Sequence, residues 1–176
     1  MDDQARFDAM YREHGGAVRR YVRRRWDAQS TDDVVADVFV VAWRRLAEVP
    51  NDPLPWLLGV ARRILANRRR GADRERALRE RMSAHWLPAP SPAEADQRTE
   101  RGAVWEALGA LADRDREVLL LVAWEGLAPA RAARVLGIGA NTFAVRLYRA
   151  RRRFRRALVA ASVRAEQPPR SAEVMR

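Results

Sequence analysis

Guanidinium groups are the main chemical endowment of this sequence, and in two places they recur at helical spacing. In the first, Trp56, Gly59, Arg63, Asn67 and Arg70 follow one another at three- and four-residue steps, which makes one stripe of a helix. Arg62, Arg68 and Arg69 lie beside it. An aromatic surface, a glycine that leaves space, an amide and several guanidiniums are suited to stack an unpaired base, hydrogen-bond its edge and hold its phosphate. The competing reading makes Trp56 a plain core residue. In the second place, Ala133, Gly137 and Phe143 occupy the three structural positions of a helix-turn-helix. The small residue lets two helices approach, the glycine takes a positive φ in the turn, and the aromatic anchors the second helix. From Asn141, read as its N-cap, that second helix directs Phe143, Leu147, Ala150, Phe154 and Leu158 inward. Arg146, Arg149 and Arg153 then share an exposed face suited to the phosphates or guanine edges of a major groove. A solvated basic helix would look the same by itself; the preceding Ala-x-x-x-Gly turn favours contact with duplex DNA.

Covalent and metal chemistry find no such footing. Cysteine is absent, and His14 and His85 stand far apart with no partner at ligand spacing. Acidic residues are scattered or mark helix starts, and no Gly-rich phosphate loop or nucleophile constellation occurs. The expectation is a binding protein that is not an enzyme and needs no cofactor. Basic residues outnumber acidic ones 34 to 23, a net charge of +11, which favours a polyanionic partner. A general compositional bias towards Arg and Ala would raise the same number, so the clustering above carries more weight. No apolar run approaches bilayer length, and MDDQARFDAM lacks the basic and apolar regions of a secretory leader. A cytoplasmic, nucleoid-associated monomer without membrane insertion is expected.

The elements that must position these residues are helices, since apolar residues recur at helical period and none alternate convincingly. The expected fold class is all-α, with two small helical domains joined by a flexible linker. Phe7, Met10, Tyr11, His14, Val18, Tyr21 and Val22 line a first helix, with Gly15 and Gly16 weakening its middle. Ser30 and Asp33 resemble a capping box before a second helix that buries Val35, Val38, Phe39, Ala42 and Leu46. Pro50, Pro53 and Pro55 impose a loop, with Pro55 placed as the first residue of a third helix. Residues 1–83 form the first domain in this reading. The Pro-rich stretch 84–99 is a linker. Residues 100–160 form the second domain, in which Val104, Leu108 and Leu111 begin a core and Gly126 closes a helix over Arg114 to Glu125. Residues 161–176 are expected to be a disordered tail.

With both halves in view, the chain from about Phe7 to Leu158 resembles the extracytoplasmic-function class of the sigma-70 family of RNA polymerase sigma factors. FDAMYREH resembles the opening of sigma region 2, and DDVVADVFVVAWRRL resembles its segment that docks on the polymerase β′ clamp helices. Asp33, Asp37, Val38, Phe39, Ala42 and Trp43 match that pattern, whereas Ala36 replaces a usual glutamine. PWLLGVARRILANRRR resembles the segment that captures the melted minus-ten strand. Trp56, Ala61, Arg62 and Asn67 fall in place, and Arg63 stands where asparagine is common. The C-terminal half resembles region 4, which reads the minus-thirty-five duplex and binds the β flap. Thr142 is present there, while Ala144 and Val145 replace usual polar residues and Arg131 occupies a position usually glutamate. The resemblance implies core polymerase, promoter DNA and an anti-sigma protein as partners. It also implies weak promoter binding by the free protein. Ala144 and Val145 are suited to thymine methyls, or else the domain depends on phosphate contacts and DNA shape. A helix-turn-helix regulator that never joins polymerase is the alternative; it leaves the Trp56 to Arg70 stripe without a purpose.

Overall fold

The computed structural model describes residues 2–26, 29–82 and 100–166. Seven α-helices and one 3₁₀ turn follow in order: α1 Asp3–Arg23, α2 Thr31–Arg44, the turn Leu46–Glu48, α3 Pro53–Met82, α4 Glu100–Gly109, α5 Asp113–Ala123, α6 Pro129–Leu136 and α7 Ala140–Glu166. Among the described residues there are no strands, in line with the all-α expectation.

Helices α1, α2 and α3 pack against one another around the faces the periodicity marks. Met10, His14, Val18, Tyr21 and Val22 are buried on α1, Val35, Val38, Phe39 and Ala42 on α2, and Leu57, Val60, Ala61 and Leu65 on α3. Gly15 and Gly16 do not interrupt α1. Ser30 is the N-cap of α2, but its side chain makes no capping hydrogen bond, so the expected capping box does not form. Helix α3 begins at Pro53, earlier than expected, and Pro55 sits buried within its first turn. The missing N–H of Pro55 is harmless there, because first-turn donors have no intrahelical acceptor.

In the C-terminal half α7 is the spine, packed by α4, α5 and α6. Gly126 and Gly137 take φ of 64° and 66°, as their turns require. Gly137 caps α6, and its N–H and that of Ile138 donate back to the carbonyls of Arg134 and Ala133 at 3.1 Å. The N-cap of α7 is Gly139, whose carbonyl accepts from Phe143 N–H at 3.0 Å; Asn141 lies inside the first turn, not at the cap. Val104 is exposed, whereas Leu108 and Leu111 enter a small second cluster. Helix α7 continues to Glu166, into the segment expected to be disordered, because Ala161 is buried and Arg164 pairs with Glu106 of α4. The proposed linker 84–99 and the remaining tail 167–176 lie outside the described residues.

The two small helical domains also pack on one another. Val118, Leu121, Leu127, Ala132, Ala133, Val135, Phe143 and Leu147 belong to the same buried cluster as Tyr21, Leu57 and Leu58.

Candidate nucleic-acid interfaces

The basic stripe on α3 is divided by this packing. Trp56 is half-buried against the core, and a Cβ on Gly59 would lie 3.4 Å from the carbonyl oxygen of Val135 in α6. At Gly59 the stripe is therefore covered by the first helix of the helix-turn-helix. Its remainder is open: Arg62, Arg63, Asn67, Arg69 and Arg70 line a cleft of about 630 Å³ together with Arg25 of the α1 end and Arg114 of α5. Arg70 donates to the Asn67 side-chain oxygen, and Arg69 Nη2 donates to the Arg25 carbonyl at 2.9 Å. Arg68 faces the other way and pairs with Asp37 of α2 at 2.7 Å. The sequence placed it in the strand-binding set; the structure pairs it with Asp37, a residue of the expected docking set.

On α7, Phe143, Leu147 and Ala150 are buried, so Asn141, Thr142, Ala144, Val145, Arg146 and Arg149 are all presented outward. Directly opposite the buried side at 3.6 residues per turn lie Asn141, Val145, Tyr148 and Arg152. Val145 and Tyr148 are 49% and 65% exposed, making an apolar centre flanked by guanidiniums. Tyr148 and Arg152 were not among the expected contacts, though the helical wheel itself puts them there. Arg146 and Arg149 border a second concavity with Arg114, Asp115 and Arg153. Arg153 is already committed: it pairs with Asp115, a buried carboxylate at the start of α5. Arg131 is committed too, donating Nε at 3.0 Å and Nη2 at 2.6 Å to the two oxygens of Asp52 in the α2–α3 loop. Arg134 donates to Asp52 at 2.7 Å. Partial desolvation raises the Asp52 carboxyl, but the hydrogen bonds and charge of Arg131 and Arg134 together outweigh it and hold it below the ordinary carboxylate range.

The expected docking residues sort by depth. Val38 and Phe39 are buried and support the surface from beneath, so they do not themselves present to a partner. Asp33 and Asp37 are exposed, and Trp43 is 45% exposed beside Val40 and Tyr11. Phe7 stacks edge-on against Trp43 and Phe39 with ring centroids 5.2 and 6.2 Å apart, and Tyr11 meets Phe39 at 4.7 Å. Such an exposed aromatic and apolar patch is the composition of a protein-contact centre.

Among the described residues no cluster of His, Cys, Asp or Glu is disposed to hold a metal. No helix among them is long and apolar enough to cross a membrane.

A helix-turn-helix with an outward arginine-rich helix, joined to a second helical module whose α3 arginines line a cleft against α5, defines a two-module DNA-binding protein. The family profile for sigma-70 region 2 matches residues 10–75, and that for sigma-70 region 4 matches residues 101–154. A protein named "Probable RNA polymerase sigma factor RfaY" from Xanthomonas campestris is 36% identical over 142 residues, covering 76% of this chain; this chain spans only 35% of that relative. The RNA polymerase sigma factor NccH of Alcaligenes xylosoxydans xylosoxydans is 30% identical over 166 residues, covering 85% of this chain and 84% of NccH. The sigma factor RpoE of Bartonella quintana, solved in complex with the anti-sigma factor NepR, superposes with a TM-score of 0.63 at 22% identity, over 87% of this chain and 96% of RpoE. The chain belongs to the sigma-70 family of RNA polymerase sigma factors, in its extracytoplasmic-function class.

Proposed function

We propose that this chain directs core RNA polymerase to a specific set of promoters by dividing DNA recognition between its two halves. The single observation that carries this reading is that one chain presents two basic surfaces of different shape. The cleft along α3, with Arg62, Arg63, Asn67, Arg69 and Arg70, is concave and suited to a flexible unpaired strand. The outward face of α7 is convex and suited to a major groove, with Asn141, Thr142, Ala144, Val145, Arg146 and Arg149 near base edges and phosphates. Region 2, taken as residues 1–83, joins the polymerase β′ clamp helices through the Tyr11, Val40 and Trp43 patch with Asp33 and Asp37 at its edge. It then holds the melted minus-ten strand. Region 4, taken as residues 100–160, reads the minus-thirty-five duplex and meets the β flap. Residues 84–99 set the spacing.

The reaction chemistry belongs to polymerase, and this chain contributes binding and position without catalysis, in the cytoplasm where polymerase works. An anti-sigma protein is part of the reading, because RpoE is solved bound to one. Run-off transcription with core enzyme tests the assignment: wild-type chain gives promoter-specific start sites, and core enzyme alone does not. Absence of any specific transcript from promoters mapped after overexpression would reject it. Membership of the family disfavours a regulator that never joins polymerase.

A further inference from the structure

The cleft of about 630 Å³ between α3 and α5 gathers more positive charge than its own contacts use. Arg62 and Arg63 stand on one wall, with Arg69 and Arg70 two turns further along α3, about 10 Å away. Arg114 stands on the other wall, in the first turn of α5. None of these guanidiniums has a carboxylate partner among the described residues: Arg69 donates to a backbone carbonyl and Arg70 to the Asn67 side chain. The carboxylates that line the cleft are already matched. Asp113 accepts from Arg116 at 3.1 Å, and Glu117 accepts from Arg25 Nε at 3.0 Å and from the Tyr21 hydroxyl at 2.8 Å. Arg25 forms the floor, its side chain 6% exposed and its guanidinium 3.7 Å from the Tyr21 ring centroid; its Nη2 is buried with no hydrogen-bond partner. The first turn of α5 adds the positive end of its dipole, and its cap, Ala112, offers those amides no side-chain acceptor.

We propose that this cleft is a binding site for a compact phosphate chain, such as inorganic triphosphate or the triphosphate of a free nucleotide. Like charges held this close repel one another, so the ligand that fits best brings several negative charges into one small volume. A nucleic-acid strand spreads its charges one per nucleotide along its length, whereas a phosphate chain concentrates them. The cleft also has the size of a small-molecule site, within the range of about 300–1,000 Å³. Guanidinium forks meet phosphate oxygens two at a time, and facing walls let one chain be gripped from both sides. A phosphate oxygen reaching the floor would give the orphaned Arg25 Nη2 the acceptor it lacks. Four of these arginines, Arg62, Arg63, Arg69 and Arg70, are also those assigned above to the melted strand. Occupancy by a phosphate chain and capture of the strand therefore exclude one another, which ties promoter opening to the supply of free polyphosphate. That consequence rests on the promoter reading; the site itself does not.

Equilibrium dialysis of the full free chain against inorganic triphosphate, and separately against adenosine triphosphate, tests the site at about 0.15 M salt, where long-range attraction is screened. A single equivalent of each should bind, and orthophosphate about tenfold more weakly because it brings fewer charges. Equal affinity for the two triphosphates assigns recognition to the phosphates alone; tighter binding of the nucleotide adds a contact to its nucleoside. Arg63→Ala and Arg114→Ala, one from each wall and both at exposed positions, should each weaken triphosphate about tenfold, as loss of one charge-assisted hydrogen bond does. Arg155→Ala removes the same charge from an exposed position of α7 outside the cleft, and should change the affinity by less than about twofold. Equal weakening by all three variants, or several equivalents bound without saturation, would reveal only the general attraction of a chain of net charge +11 and overturns the site. Weakening by Arg63→Ala alone overturns the two-walled cleft, since α3 would then act without α5. No bound triphosphate also overturns it, and retention of a thymidine pentanucleotide instead would make a strand the occupant. Failure of the promoter reading shows separately, as a wild-type holoenzyme without specific transcripts, and removes only the competition between ligand and strand.

Discussion

Two arginines four residues apart on α7 illustrate how a shared helix face can divide into different jobs. Arg149 borders an open concavity, whereas Arg153 is tied to the buried carboxylate of Asp115. Arg149→Ala should leave the fold unchanged and weaken duplex binding at low salt, flattening the log–log salt dependence by up to about one unit for a lost phosphate contact. Binding titrations between low and moderate salt check this; an unaltered slope removes Arg149 from the phosphate contacts. Arg153→Ala should instead leave Asp115 buried without its partner, at a cost of about 1–3 kcal/mol. Urea unfolding monitored at α7 measures that cost. A midpoint equal to wild type would show that Asp115 does not need Arg153, and would return this arginine to the DNA-facing set. The sequence assigned both arginines one role because periodicity reports which side of a helix a residue occupies, not which carboxylate from another helix meets it.

At the scale of elements, the helix-turn-helix was legible because its signals are local. Ala133, Gly137 and Phe143 are buried, left-handed and buried respectively, as their steric roles demand. Gly137 has open space where a Cβ would go, so Gly137→Ala is opposed by its φ of 66° and not by a clash. The expected loss is about 1 kcal/mol, seen as a lower thermal midpoint for the C-terminal half, with the duplex footprint retained. An unchanged midpoint would mean that the turn relaxes to negative φ without cost. Boundaries were less legible. Asn141 and Gly139 are both acceptable at a helix start, and only the carbonyl that meets Phe143 N–H decides between them. Likewise Pro53 and Pro55 both suit a first turn. The end of α7 depends on α4, whose packing and Glu106–Arg164 pair carry the helix past the point where its own apolar pattern fades. Val38 and Phe39 were legible as buried, since the period of α2 puts both on its inner face, whereas the resemblance alone set them in the docking motif.

For the whole molecule, the arrangement of the halves was not legible at all, because its polar contacts join residues some 80 to 100 positions apart, such as Asp52 with Arg131 and Arg25 with Glu125. No window along the chain contains both partners. The contact between the halves has a pH signature. Asp52 has its carboxyl lowered by Arg131 and Arg134, so its contribution to that contact is fully present above the ordinary aspartate value of about 3.9 and is lost as pH falls through the depressed value. His14 and Glu13 line the same depression as Asp52. The contribution is therefore isolated as the difference in unfolding free energy between wild type and Asp52→Ala, measured by urea titration. That difference should be constant from about pH 5 to 8 and vanish only below about pH 4. A difference that already disappears between pH 5 and 8 would mean that Asp52 is not held ionised by the α6 arginines. A difference that stays constant from about pH 5 to 8 shows that Asp52 remains ionised beside the α6 guanidiniums throughout the neutral range, as the charge and hydrogen bonds of Arg131 and Arg134 require.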